Sequence, residues 1–261
     1  MFNSLKIYRL FLTFIISFRL GLNYNIVHSA SLEQIRERGK LIVAVKDNTR
    51  PLSFLNRRNQ LEGLEIDLAK QLAEDILGNA DSIIFKIVDN QERLQKVIDG
   101  EVDIVIARMT INSFRSRLIN FSPYYYLDST GIITNNHQIK NSSDLFNLKV
   151  AVINYSDTIS SIRSSFPKIN LIGVNSYKEA LNLMENGEVD AFASDNSILA
   201  GWIKEYPQYH RLSLKLSTKG LGVAMPKGLK SSDLRNFINQ SIYRLKISGW
   251  LNQRIKYWDL P

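Results

Sequence analysis

The phrase Gly-Glu-Val-Asp stands twice in the chain, in "GEVDIVIAR" at 100–108 and in "GEVDAFASD" at 187–195. Each copy follows apolar residues at helical spacing: Leu94, Val97 and Ile98 in "QERLQKVID", and Ala180, Leu181 and Met184 in "YKEALNLMEN". Glycine readily takes the left-handed conformation that ends a helix, and the apolar run after it reads as a buried strand. The same helix–Gly–strand unit is therefore expected twice. The fifth residue past the Asp is Arg108 in the first unit and Asp195 in the second.

The segments around these units carry the same grammar. "SLEQIRERG" places Ser31 and Gln34 at capping-box spacing and closes on Gly39. "LIVAV" reads as a buried strand by its unbroken apolar run, and "IIFKIV", "KVAVIN" and "INLIGV" read as strands, as do "LSLKLS" and "LGVAMP" nearer the C-terminus. "GLEIDLAKQLAEDILG" is an amphipathic helix with Leu68, Ala69, Leu72, Ala73 and Ile76 on one face and Gly78 at its end. "SDTISSIRSSFP" is a short helix, and 231–258 form a helical tail.

The β-α-β-α-β order implies an α/β fold with a parallel sheet, and the order restarts after "FSPYYYLDST". Two lobes are expected. Ligands of open parallel sheets sit outside the carboxyl ends of the strands. Arg108 and Asp195 would then face one cleft from opposite sides.

Composition narrows the chemistry. The chain has 261 residues, 44% hydrophobic and 22% charged, and no cysteine. Disulfides, thiolate metal sites and Cys nucleophiles are excluded. His28, His137 and His210 stand far apart, so no metal site is expected, and no cofactor. Residues 1–30 carry Lys6, Arg9 and Arg19, no acid, and the apolar run "LFLTFIISF". They read as a secretory signal peptide ending near "VHSA", with an uncleaved N-terminal anchor as the alternative. A periplasmic protein is expected. Removing them lowers the formal net charge from +8 to +5, spread along the chain, and no basic run is interleaved with aromatics. Nucleic-acid binding is not expected.

Six segments in order resemble the family 3 solute-binding proteins, the periplasmic amino-acid receptors of ABC importers. They are "GKLIVAVKDNTRPLSF", "LEGLEIDLAKQLAEDILG", "GEVDIVIARMTINSFRSRLINFSPYYY", "LKVAVINYSDT", "GEVDAFASD" and "GVAMPKG…LRNFINQSIYRLKISGWLNQRIKYW". The resemblance implies the two-lobed periplasmic binding protein type II fold with a hinge of two crossing segments. Lobe 1 would span 31–124 and 222–261, lobe 2 would span 130–216, and the hinges would fall near 125–129 and 217–221. It implies a small-molecule ligand, an amino acid or similar, a membrane permease complex as partner, and a monomer.

The same resemblance assigns roles. Arg115 would hold the ligand carboxylate through a bidentate guanidinium. Thr110 would add a hydroxyl and a backbone N–H, and Ser156 and Asp157 would offer backbone donors at a helix start. Asp195 would accept from the α-ammonium. Without the resemblance, Arg115 reads as surface and Asp195 as the cap of the "NSILAGW" helix.

The departures from the family pattern fall in the expected pocket. Thr49 and Asn90 stand where relatives place aromatic rings, and Lys46 stands where an acid is frequent. Arg108 replaces a glycine and Asp157 a small neutral residue. Arg108 either enters the cleft, to pair with Asp157, Asp195 or an acidic ligand, or leans into solvent. Three functions follow: a non-catalytic receptor, an orphan sensor or interaction protein with a drifted pocket, or an enzyme like cyclohexadienyl dehydratase.

Overall fold

The computed structural model describes residues 30–140, 142–145, 148–214, 216 and 218–261. The expected leader lies outside the described residues except for Ala30. The first helix, α1 (Leu32–Arg38), starts on the capping box: Ser31 Oγ accepts the Gln34 N–H and Gln34 Oε1 accepts the Ser31 N–H. Gly39 ends it at φ 67°.

Strand β1 (Leu41–Val45) is followed by a small antiparallel sheet of β2 (Asn48–Thr49), β3 (Ser53–Leu55) and β4 (Leu61–Glu62). Next come α2 (Leu64–Leu77), β5 (Ile83–Ile87), α3 (Arg93–Ile98) and β6 (Ile104–Val105). β1 pairs in parallel with β5 on one side and β6 on the other. After α4 (Arg115–Leu118), β7 (Asn120–Phe121) closes this sheet through the late strand β14 (Ala224–Met225), giving the order β5-β1-β6-β14-β7.

The long strand β8 (Tyr126–Thr134) carries the chain into a second sheet. There β9 (Lys149–Ile153), α5 (Thr158–Ser165), β10 (Asn170–Val174), α6 (Tyr177–Glu185), β11 (Ala191–Asp195), α7 (Asn196–Glu205) and β12 (His210–Arg211) follow in turn. Strands β10, β9 and β11 are parallel, and β8 runs antiparallel to β11. Strand β13 (Thr218–Leu221) returns antiparallel along Tyr126–Ser129. Helices α8 (Ser232–Ile247) and α9 (Trp250–Tyr257) then pack on the first sheet, with Leu234, Ile238, Ile242 and Leu251 in one core with Leu68, Leu72 and Val43.

The repeated phrase acts as a clip in both sheets. Gly100 and Gly187 take φ of 71° and 68°, and Val102 and Val189 are buried. Asp103 accepts the backbone N–H of Ile42 at 2.7 Å, and Asp190 accepts that of Lys149 at 2.8 Å. Each Asp also donates its own N–H to the same residue's carbonyl. The phrase thus joins a crossover helix to the start of the neighbouring parallel strand.

Two expectations need correction. "LSLKLS" is not a strand at 212–214, with 215 and 217 outside the described residues. Its alternating leucines still turn inward, because Leu212 is buried and Leu214 and Leu216 are half-buried against the second sheet's core, and packing alone satisfies that pattern. Ile98 is exposed, since α3 is short and turns Val97 and, in part, Leu94 to the core while its last residue faces out. His137 and His210, distant in sequence, stack at 5.2 Å between ring centroids.

Candidate ligand-binding cleft

Arg108 lies just past β6, at the carboxyl end of a parallel strand. Its φ is 52°, in the region that glycine adopts freely and an L side chain does not. Its backbone N–H is held at 2.7 Å by Glu65, which also accepts the Tyr125 hydroxyl at 2.5 Å. The side chain turns inward and is 6% exposed. It donates to Asp195 at the end of β11 and to the Tyr177 hydroxyl at the start of α6, so the pair joins the two sheets. Asp195 makes no side-chain cap to α7, which disposes of the capping reading.

A second pair lies beside the first. Arg115 is 9% exposed, whereas Arg117 is exposed, so the surface reading fails for the first of these. Arg115 Nη1 donates to Asp157 and to the Thr110 carbonyl at 3.2 Å. Asn112 adds a hydrogen bond to Asp157 at 3.0 Å, and Lys219 Nζ reaches the Asp157 carbonyl at 3.5 Å. Asp157 stands at the start of α5, after β9, the neighbour of β11. The two pairs therefore sit at the carboxyl ends of adjacent strands.

Lys46 follows β1 directly and is 5% exposed. Its Nζ donates to Asn90 Oδ1 at 3.3 Å, and Asn90 reaches across to the Asn154 carbonyl at 3.5 Å. Burial, then the charges of Arg93 and Arg108, lower the Lys46 pKa to about 7. Two other expected residues are turned to structural work. Thr49 is buried, with its hydroxyl on the Ser53 carbonyl at 2.9 Å. Ser156 directs both its N–H and its hydroxyl to the Ile153 carbonyl.

Sequence reasoning missed three buried ionisable residues. Glu65, in the first turn of α2, has its carboxyl pKa pushed up by burial, and its Oε2 has no hydrogen-bond partner. Arg93 donates to the carbonyls of Ala107 and Arg108 and so braces the Arg108 turn. Burial, then Arg115 and Arg108, lower it to about 10, which leaves it a cation at neutral pH. Asp128 in β8 accepts the Ser197 hydroxyl and N–H, and burial followed by the charge of Asp195 raises it to about 7. In sequence Glu65 reads only as a favourable acid in a first helical turn, and the other two give no signal.

Two openings flank the paired charges. One of about 180 Å³ is lined by Lys46, Asp89, Asn90, Asn154, Asn175 and Tyr177 among others. Another of about 470 Å³ is lined by Arg93, Asn112, Phe114, Arg115, Asp157 and Lys219 among others. Among the described residues no group of His, Asp or Glu is placed to hold a metal ion. None of their helices is long and apolar enough to cross a membrane.

Two α/β lobes that meet at strand ends, the first supplying the arginines and the second the aspartates of one cleft, define the two-lobed class of binding protein. The chain belongs to the bacterial extracellular solute-binding proteins, family 3, whose profile matches residues 41–260. It is 32% identical over 204 residues to the glutamine-binding protein of Geobacillus stearothermophilus, covering 77% of this chain and 78% of that one. It is 30% identical over 231 residues to the ABC transporter glutamine-binding protein GlnH of Bacillus subtilis (strain 168), covering 87% and 84%. Among solved structures it resembles the solute receptor for L-cysteine of Neisseria gonorrhoeae, with a TM-score of 0.81 at 24% identity over 87% of this chain and 93% of that one. The fold is the type II periplasmic binding fold, and the role is solute binding.

Proposed function

We propose that this chain captures an amino acid or a related small zwitterion outside the cytoplasmic membrane and hands it to an ABC importer, as a monomeric receptor without catalysis. One observation carries the reading. Arg115, in the helix beside the first sheet, and Asp195, at the end of a strand of the second, open on one cleft, and each already holds a group of opposite charge. A zwitterion offers the same two groups in one molecule, its carboxylate for Arg115 in place of Asp157 and its ammonium for Asp195 in place of Arg108. The reading takes 31–124 with 222–261 as one lobe and 130–216 as the other. Segments 125–129 and 217–221 bend as the ligand enters. Residues 1–30 serve as the leader.

The experiment is a thermal-shift screen of the amino acids followed by calorimetry on the best ligand, since a ligand of the folded state alone raises the melting temperature. Arg115→Lys keeps the charge and removes the fork, so affinity should fall about ten- to a hundredfold. Unchanged affinity takes Arg115 out of the site. The internal engagement of both anchors also favours a second reading, a sensor whose cleft has become self-occupied. An empty amino-acid screen is its signature.

A further inference from the structure

Lys46 is a buried ammonium with little to hold. Among the described residues its one hydrogen-bond acceptor is Asn90 Oδ1, at 3.3 Å, although the group has three donors. It opens on the cavity of about 180 Å³ that it shares with Asn90, Asn154, Asn175 and Tyr177. The charged groups around it come from every neighbouring element. Arg93 at the start of α3 and Arg108 past β6 are cations, and Asp89 after β5 and Glu65 in α2 are acids. Glu65 is itself pushed towards its neutral form by burial. Asp195 already engages Arg108, while Tyr177 contributes only a hydroxyl on that same guanidinium. Asp89 lines the same cavity, but it is exposed and its Oδ1 takes the N–H groups of Gln91 and Glu92, so the buried groups around Lys46 carry an excess of positive charge, and a buried charge is stable only when it is paired.

We propose that the ligand carries a second carboxylate besides the one at Arg115, and that Lys46 receives it in this cavity, so that the substrate class is a small acidic zwitterion. The proposal rests on the receptor reading and specifies its ligand. It has a consequence in protons. Free Lys46 sits near its midpoint at about pH 7, and a carboxylate beside it favours the charged form. Below pH 7 the ammonium is already present and binding needs no proton. Above it, binding takes up as much as one proton, so the dissociation constant of an acidic ligand rises by up to about tenfold per pH unit.

Isosteric pairs test this directly: L-glutamate against L-glutamine and L-aspartate against L-asparagine, titrated calorimetrically from pH 6 to 9 in buffers of differing ionisation enthalpy. The expected result is that one acid binds at least tenfold more tightly than its amide at pH 6.5, with proton uptake above pH 7. Lys46→Met should abolish that preference. Lys46→Arg should keep it but lose the pH dependence, because a guanidinium does not titrate there. Asp128 also titrates near pH 7, and whatever pH dependence survives in Lys46→Arg belongs to it or to other groups. An amide that binds as tightly as its acid, or an acid that binds without proton uptake, overturns the proposal and leaves the receptor reading standing. So does binding of some other amino acid while all four of these fail. If no amino acid binds at all, this proposal and the receptor reading fall together.

Discussion

At the scale of a residue, Arg108 is where backbone and side chain disagree. The backbone keeps φ at 52°, as a glycine would, while the side chain occupies the partner position on Asp195. A left-handed L residue costs about 1–2 kcal/mol, and Arg93 and Glu65 hold the turn in place against it. Arg108→Gly removes that strain and frees Asp195 for an ammonium. Amino-acid affinity should rise, about tenfold for each 1.4 kcal/mol that the internal pair had held. Calorimetry on both proteins against one ligand panel decides it. If the two bind the same ligands equally well, Arg108 does not compete for the site. Sequence order brought Arg108, Arg115 and Asp195 into view because each stands at a fixed offset from a strand or a family motif. It could not bring Glu65, Arg93 or Asp128, whose burial depends on partners such as Arg108, Ala107 and Ser197, 14 to 69 positions away. Nor could it anticipate that the Ser156 donors are spent on Ile153.

At the scale of an element, the repeated clip explains why two dissimilar halves share four letters. Glycine ends the helix, valine enters the core, and aspartate receives an N–H from the start of the adjacent strand. The two clips differ in environment. The Asp103 side chain is buried and is also paired with Arg38, and burial raises its pKa. Asp190 is only half-buried. Water can replace a lost acceptor at the second site and cannot easily do so at the first. Asp103→Ala should therefore cost about 1–3 kcal/mol and Asp190→Ala less than about 1, read by urea denaturation. Equal costs would mean that the clips do not depend on burial. Elements of this kind were legible because helix period and glycine agree with the tertiary structure. "LSLKLS" was not, because period-two leucines describe burial of alternate residues without saying whether a neighbouring edge exists to pair with.

At the scale of the molecule, the cleft is held by contacts that cross it: Arg108 with Asp195, Arg115 with Asp157, and Asn90 with the Asn154 carbonyl. Asp157→Asn combined with Asp195→Asn removes both charge pairs while leaving each lobe's own core intact. The ligand-free double variant should show a larger radius of gyration by small-angle scattering than the parent. An identical radius would mean that other contacts keep the lobes together.

The paired charges also set how the protein counts its ligand. If a receptor must first break its own clasp to admit a guest, only the open fraction of molecules is available at any instant. The observed dissociation constant is then the intrinsic one divided by that fraction. A clasp that leaves one molecule in a hundred open would weaken apparent affinity about a hundredfold with no change in any contact to the ligand. Association would slow while the bound complex kept its lifetime. Substitutions at Arg108 or Asp157 would thus move the concentration range to which the protein responds, independently of which molecule it prefers.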